Sequence, residues 1–101
     1  MTPEPIYFEC HITIEPVEGE RFALFEHICS KWEFKPATLL MQKTKDPSKL
    51  DSFCTGKNKQ YLPLANRMYW MLEDLGQESF KVYRYKIEAI LLDQRYTRGN
   101  V

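Results

Sequence analysis

The opening segment alternates between apolar and polar residues. Ile6, Phe8, Cys10, Ile12 and Ile14 hold one parity, and Tyr7, Glu9, His11, Thr13 and Glu15 hold the other. Period two marks a half-buried β-strand. Pro16 and Gly19 then punctuate a turn. From about Glu20 to Trp32 the period becomes helical: Phe22, Phe25, Ile28, Cys29 and Trp32 form one stripe, with Glu20, Arg21, Glu26, Ser30 and Lys31 toward solvent. Pro36 blocks continuation of the helix and prepares a strand over about Ala37 to Thr44. A polar, basic loop, Lys43 to Lys49, leads to a shorter strand over about Leu50 to Thr55. After Gly56-Lys57-Asn58-Lys59 a second amphipathic helix is predicted from about Gln60 to Leu75. It buries Tyr61, Leu64, Ala65, Met68, Met71, Leu72 and Leu75, with Pro63 in its first turn and Gly76 as C-cap. The last strand, about Phe80 to Leu92, sets Tyr83, Tyr85, Ile87, Ala89 and Leu91 on one face and Arg84, Lys86 and Glu88 on the other.

The order β-α-β-β-α-β predicts an α+β, ferredoxin-like domain: a four-stranded antiparallel sheet of spatial order 4-1-3-2 with two helices on one face. Right-handed crossovers place the first strand beside the last. Glu9, His11 and Thr13 then lie next to Arg84, Lys86 and Glu88 on the face without helices. Residues 1–93 are expected to form one domain, and 94–101 a polar, disordered tail without periodicity.

Composition narrows the function. Hydrophobic residues make up 44% of the chain and aromatics 14%, enough for an ordinary core with no metal or disulfide staple. Lys plus Arg equal Asp plus Glu at 14 each, so coating bulk nucleic acid, which rewards a net basic surface, is disfavoured. The apolar runs are far short of the ~20 residues that span a bilayer, and no signal-peptide pattern opens the chain. Three cysteines without a CxxC spacing read as reduced thiols in a cytoplasmic protein. Metal ligands do not fall in register: Cys10 and His11 point to opposite faces, and His27 and Cys29 diverge on a helix. No cofactor motif is present.

Three constellations carry the candidate chemistry. His11 and Thr13 share the open face of the first strand, where an imidazole can exchange protons near neutral pH and a hydroxyl can hold an oxyanion. Arg84 and Lys86 point the same way from the last strand and can clamp a phosphate or carboxylate, with Glu9 and Glu88 orienting the group. A plain cross-strand charge network is the alternative. Lys57 and Lys59, with the free N–H groups at the start of the second helix, form a third place for an anion, against a merely solvated loop.

His11-Ile12-Thr13-Ile14 resembles one His-x-Thr-x motif of the two-histidine phosphoesterases, the superfamily of the LigT-type RNA ligases and cyclic phosphodiesterases. The resemblance implies acid or base action by His11 on a phosphodiester and a phosphate contact from Thr13. That superfamily carries two such motifs, and this chain carries one: His27 begins no second copy. The whole chain also resembles small stand-alone ferredoxin-like proteins. The expectation is a binding domain whose open sheet face holds a small anionic, phosphate-bearing ligand. The alternatives are a homodimeric phosphoesterase that pairs two copies of the motif, and an interaction module without a ligand. The last would use the apolar strand from Ala37 to Met41 as an exposed edge.

Overall fold

Glu15 to Gly19 lead from the first strand into the first helix through a glycine at φ +61°, a backbone angle that residues with a Cβ rarely adopt. The computed structural model describes residues 4–40 and 50–92. Six elements run through them: β1 (Tyr7–Ile14), α1 (Glu20–Lys31), β2 (Lys35–Leu40), β3 (Leu50–Asn58), α2 (Tyr61–Gln77) and β4 (Val82–Ile90). The strands form one antiparallel sheet of order β2-β3-β1-β4, which is 4-1-3-2 read from the other edge. The expected α+β architecture and the neighbours of β1 are therefore both present.

The apolar parity of β1 faces the helices. Cys10, Ile12 and Ile14, with Cys54 of β3, are fully buried in one cluster with Phe25, Ile28 and Cys29 of α1 and Leu64, Met68, Met71 and Leu75 of α2. Apolar surface of this kind contributes about 25 cal/mol per Å² removed from water. That is why the other parity is left open and polar. Two stripe residues are less buried than the spacing predicts. Ile6 precedes β1 and is half exposed, and Tyr61 shows half its surface while packing edge-on against Phe8.

Several boundaries differ from the sequence reading. β2 starts at Lys35, so Pro36 lies inside a strand. β2 is an edge, where a missing N–H on the outer side costs no ladder bond. The predicted residues 41–44 of that strand, the basic loop 43–49 and the tail 94–101 lie outside the described residues.

β3 continues past Thr55 through Gly56, Lys57 and Asn58, which were expected to be a loop. Gly56 pairs with Cys10 and lies against Phe34; a Cβ there would stand 2.9 Å from that ring. The glycine serves close packing rather than a turn.

α2 passes through Gly76 and ends at Gln77, so Gly76 is not the C-cap. Ser79 takes the left-handed conformation instead, at φ 62°. The Ser79 N–H donates to Gly76 O at 3.1 Å, and the Phe80 N–H to Leu75 O at 2.9 Å. α1 ends in the same way. Glu33 sits at φ 60°, with its N–H donating to Ser30 O at 3.4 Å and the Phe34 N–H donating to Cys29 O at 2.8 Å. Both are Schellman closures, and each delivers a buried Phe to the core just past the helix.

β4 is shorter than predicted and carries an irregularity. Thr13 pairs with Arg84 but Ile14 pairs with Val82, leaving Tyr83 as an extra residue. This bulge changes the parity of the strand. Val82 packs on the helix side with Ile14, while Arg84 stays on the open face with Thr13.

Candidate functional site

The open face is a grid. Across β1 and β4, Glu9 is opposite Glu88, His11 opposite Lys86 and Thr13 opposite Arg84. Across β1 and β3, Glu9 is opposite Lys57, His11 opposite Thr55 and Thr13 opposite Phe53. Lys35 of β2 stands beyond Thr55. The expected meeting of the β1 and β4 constellations is thus realised in register, and His11 sits at its centre with 27% of its side chain exposed.

His11 is held on three sides. Its Nε2 lies 3.2 Å from Glu9 Oε1 and 3.6 Å from Glu88 Oε2, and its Nδ1 lies 3.2 Å from Thr55 Oγ1. Two carboxylates beside Nε2 require a proton there. In the neutral ring the Thr55 hydroxyl then donates to Nδ1; in the charged ring Nδ1 donates to Thr55. Glu88 also pairs with Lys86. The Lys86 ammonium, hydrogen-bonded to Glu88, holds its carboxyl below the usual range, with the charges of His11 and Arg84 acting in the same direction.

A depression of about 250 Å³ opens beside the imidazole, lined by His11, Thr13, Asp51, Phe53, Arg84 and Lys86. Four of these six are residues singled out in the sequence. Arg84 and Asp51 make no hydrogen bond or ion pair among the described residues. The depression therefore offers a guanidinium and a hydroxyl from Thr13 on one side. On the β3 side it offers an aromatic face and a carboxylate. Asp51, Phe53 and Thr55 escaped the sequence reading because the face of the third strand was not assigned. Its own alternation, with Ser52 and Cys54 buried and Asp51, Phe53 and Thr55 half-buried, carries that signal.

The third constellation does not assemble at the helix start. Lys57 is a strand residue on the open face opposite Glu9, with its Nζ 5.4 Å from the Tyr7 ring centroid. Lys59 is exposed in the turn before α2. The N-cap residue Gln60 donates its own N–H to Asn58 Oδ1 at 2.8 Å, and its side chain does not cap the first turn.

Elsewhere, His27 is exposed on α1, in the helical layer and away from His11. Cys10, Cys29 and Cys54 are all buried and free. Burial pushes the Cys10 thiol up to about 11, and a hydrogen bond with Cys29, reinforced by burial, pushes Cys54 up. Such thiols are poor nucleophiles. Among the described residues no group of three or more His, Cys, Asp or Glu is placed to hold a metal ion. No described helix is long and apolar enough to cross a membrane. No protein-family model matches the chain, and a search of curated proteins finds no significant match.

Proposed function

We propose that the chain is a ferredoxin-like binding domain whose open sheet face holds a small phosphate-bearing ligand. The observation that carries this reading is the depression that gathers His11, Thr13, Arg84 and Lys86 from two adjacent strands. Lys86 is partly neutralised by Glu88, and His11 is oriented by Glu9, Glu88 and Thr55. Among the described residues lining the depression, Arg84 is then the cation without an ion pair and so the one to hold the anion, and Thr13 supplies a neutral donor beside it. The carboxylate of Asp51 repels a phosphate, so the anion belongs at the β4 side. A neutral, hydrogen-bond-donating part of the ligand belongs near Asp51 and Phe53.

Thermal-shift measurements with inorganic pyrophosphate, nucleotides and cyclic nucleotides test the reading. At least one should raise the melting temperature of the wild type. Arg84→Ala should weaken that ligand tenfold or more, because a hydrogen bond to a charged group contributes about 1.5–3 kcal/mol and ~1.4 kcal/mol is a factor of ten. No shift with any of them, or equal shifts in wild type, His11→Ala and Arg84→Ala, sinks the proposal.

Because His11 and Thr13 both line the depression, a second reading keeps phosphoesterase chemistry. With His27 in the other layer, the second imidazole would have to come from another subunit. Hydrolysis of a 2′,3′-cyclic phosphate by the wild type, abolished in His11→Ala, supports that reading; no turnover removes it.

A further inference from the structure

Among the described residues β4 is an edge strand, paired on its β1 side alone. Native sheets protect edges with proline, bulges, short strands or charged side chains, because a bare edge templates pairing with another chain; the charges of β4, Arg84, Lys86 and Glu88, are of both signs. The opposite edge, β2, carries Pro36. β4 carries no proline, and its one irregularity, at Tyr83, lies at its beginning. From Arg84 to Ile90 its register with β1 is regular, seven residues of backbone in extended form. The surface beside this edge is largely apolar. Tyr83 and Tyr85 each show more than half their area, and with Leu72 of α2, Val82 and the charged Arg84 they line a groove of about 560 Å³.

The sequence of the regular stretch is self-complementary. Cross-strand partners in an antiparallel pair share a face, so in a two-fold pair a residue must lie on the axis. With Lys86 on the axis, two ammonium groups meet head-on and the bulge is drawn into the ladder. With Tyr85 on the axis, Arg84 meets Lys86 twice. With Ile87 on the axis, the regular stretch pairs with itself from end to end. Lys86 then meets the partner's Glu88, and Glu88 meets the partner's Lys86, on the open face. Ile87 meets the partner's Ile87, and Tyr85 the partner's Ala89, on the helix side. This register alone has two opposite-charge pairs and no like-charge pair, and directly opposed charges of opposite sign stabilise a sheet while like charges do the reverse.

We propose that β4 is the interface of a homodimer, in which two copies join edge to edge about a two-fold axis at Ile87 to give one continuous eight-stranded sheet. Arg84, which lines both the depression and the groove beside this edge, faces only the partner's Ile90 in this arrangement, so the paired ladder sets no charged group directly opposite it.

Sedimentation velocity and disulfide trapping test the interface independently of any ligand. The wild type should sediment as a dimer of the 12.1 kDa chain. Ile87→Cys should crosslink under mild oxidation, because paired Cα atoms in an antiparallel ladder lie about 4.5–5.5 Å apart, within disulfide reach. Ala89→Cys should not, since its own counterpart is four residues away along the strand, roughly 14 Å at ~3.4 Å per residue. Lys86→Glu should give a monomer, and the exchange Lys86→Glu with Glu88→Lys should restore the dimer, with circular dichroism confirming that each variant folds. A wild-type monomer at every concentration overturns the proposal. So does a dimer that Lys86→Glu leaves intact, or one that Ala89→Cys traps and Ile87→Cys does not.

Discussion

At the scale of single residues, the strongest constraints come from close approach and from paired polar groups. Gly56 has a neighbour where its Cβ would be, the Phe34 ring at 2.9 Å. Gly56→Ala is expected to destabilise the fold by about 1–3 kcal/mol, the usual cost of overpacking a filled core. Urea unfolding measures it. A smaller residue at Phe34 should recover part of the loss, and full stability in Gly56→Ala alone would contradict the packing. Asp74 gives the pH dependence. Its Oδ2 accepts from the Trp32 indole at 2.7 Å and from Lys31 Nζ at 3.1 Å. These hydrogen bonds, Trp32 first, hold its carboxyl below the ordinary value of 3.8. Because the folded pKa is the lower one, the stabilisation is fully present above the unfolded value, and is lost as pH falls from there through the folded value. Thermal melts from pH 5 down to about 2 should show a steeper loss in wild type than in Asp74→Asn. Parallel curves would mean that the contact contributes nothing.

At the scale of elements, period two in β1 and the helical stripes were enough to place all six elements and their order. The failures share one cause, which is tertiary packing overriding local residue preference. Gly56 and Asn58 suggest a turn, yet pairing with β1 holds them in β3. Gly76 suggests a helix end, yet α2 runs on so that Phe80 can drop into the core after Ser79. The bulge at Tyr83 leaves no mark in the alternation, because Val82 suits either face. The pairing of Arg84, Lys86 and Glu88 with Thr13, His11 and Glu9 was nevertheless legible, since it depends on parity on the far side of the bulge. Asp51, Phe53 and Thr55 were not, because the small Ser52 and Cys54 that alternate with them mark the buried side only weakly. The Schellman closures are testable. Ser79 pays the left-handed penalty that glycine avoids, and Ser79→Gly is expected to stabilise the protein by roughly 0.5–1 kcal/mol. A lower melting temperature in Ser79→Gly would show that the serine makes a compensating contact.

At the scale of the whole molecule, the sheet separates two environments. The helix side is apolar and contains all three thiols, so they should resist modification together. In native protein at pH 8, Ellman's reagent should find none of the three free cysteines, and in denaturant all of them; rapid labelling of the native state would mean that the core opens readily. The open side holds every group proposed for the ligand, and edge pairing through β4 determines how those groups relate across two copies. In the paired sheet, β1 of one copy and β1 of the other are separated by three interstrand spacings, at least ~14 Å at about 4.8 Å each. Two His11 imidazoles that far apart cannot both reach one phosphate. The β4 dimer therefore implies two independent sites, whereas two-histidine chemistry needs one shared site. Calorimetric titration with whichever nucleotide or pyrophosphate shifts the melting temperature separates them. One ligand per chain, and no recovery of binding on mixing His11→Ala with Arg84→Ala, is the outcome expected for self-sufficient sites. One ligand per two chains, with activity regained in the mixture, would require the two His11 residues to face each other and would exclude pairing through β4.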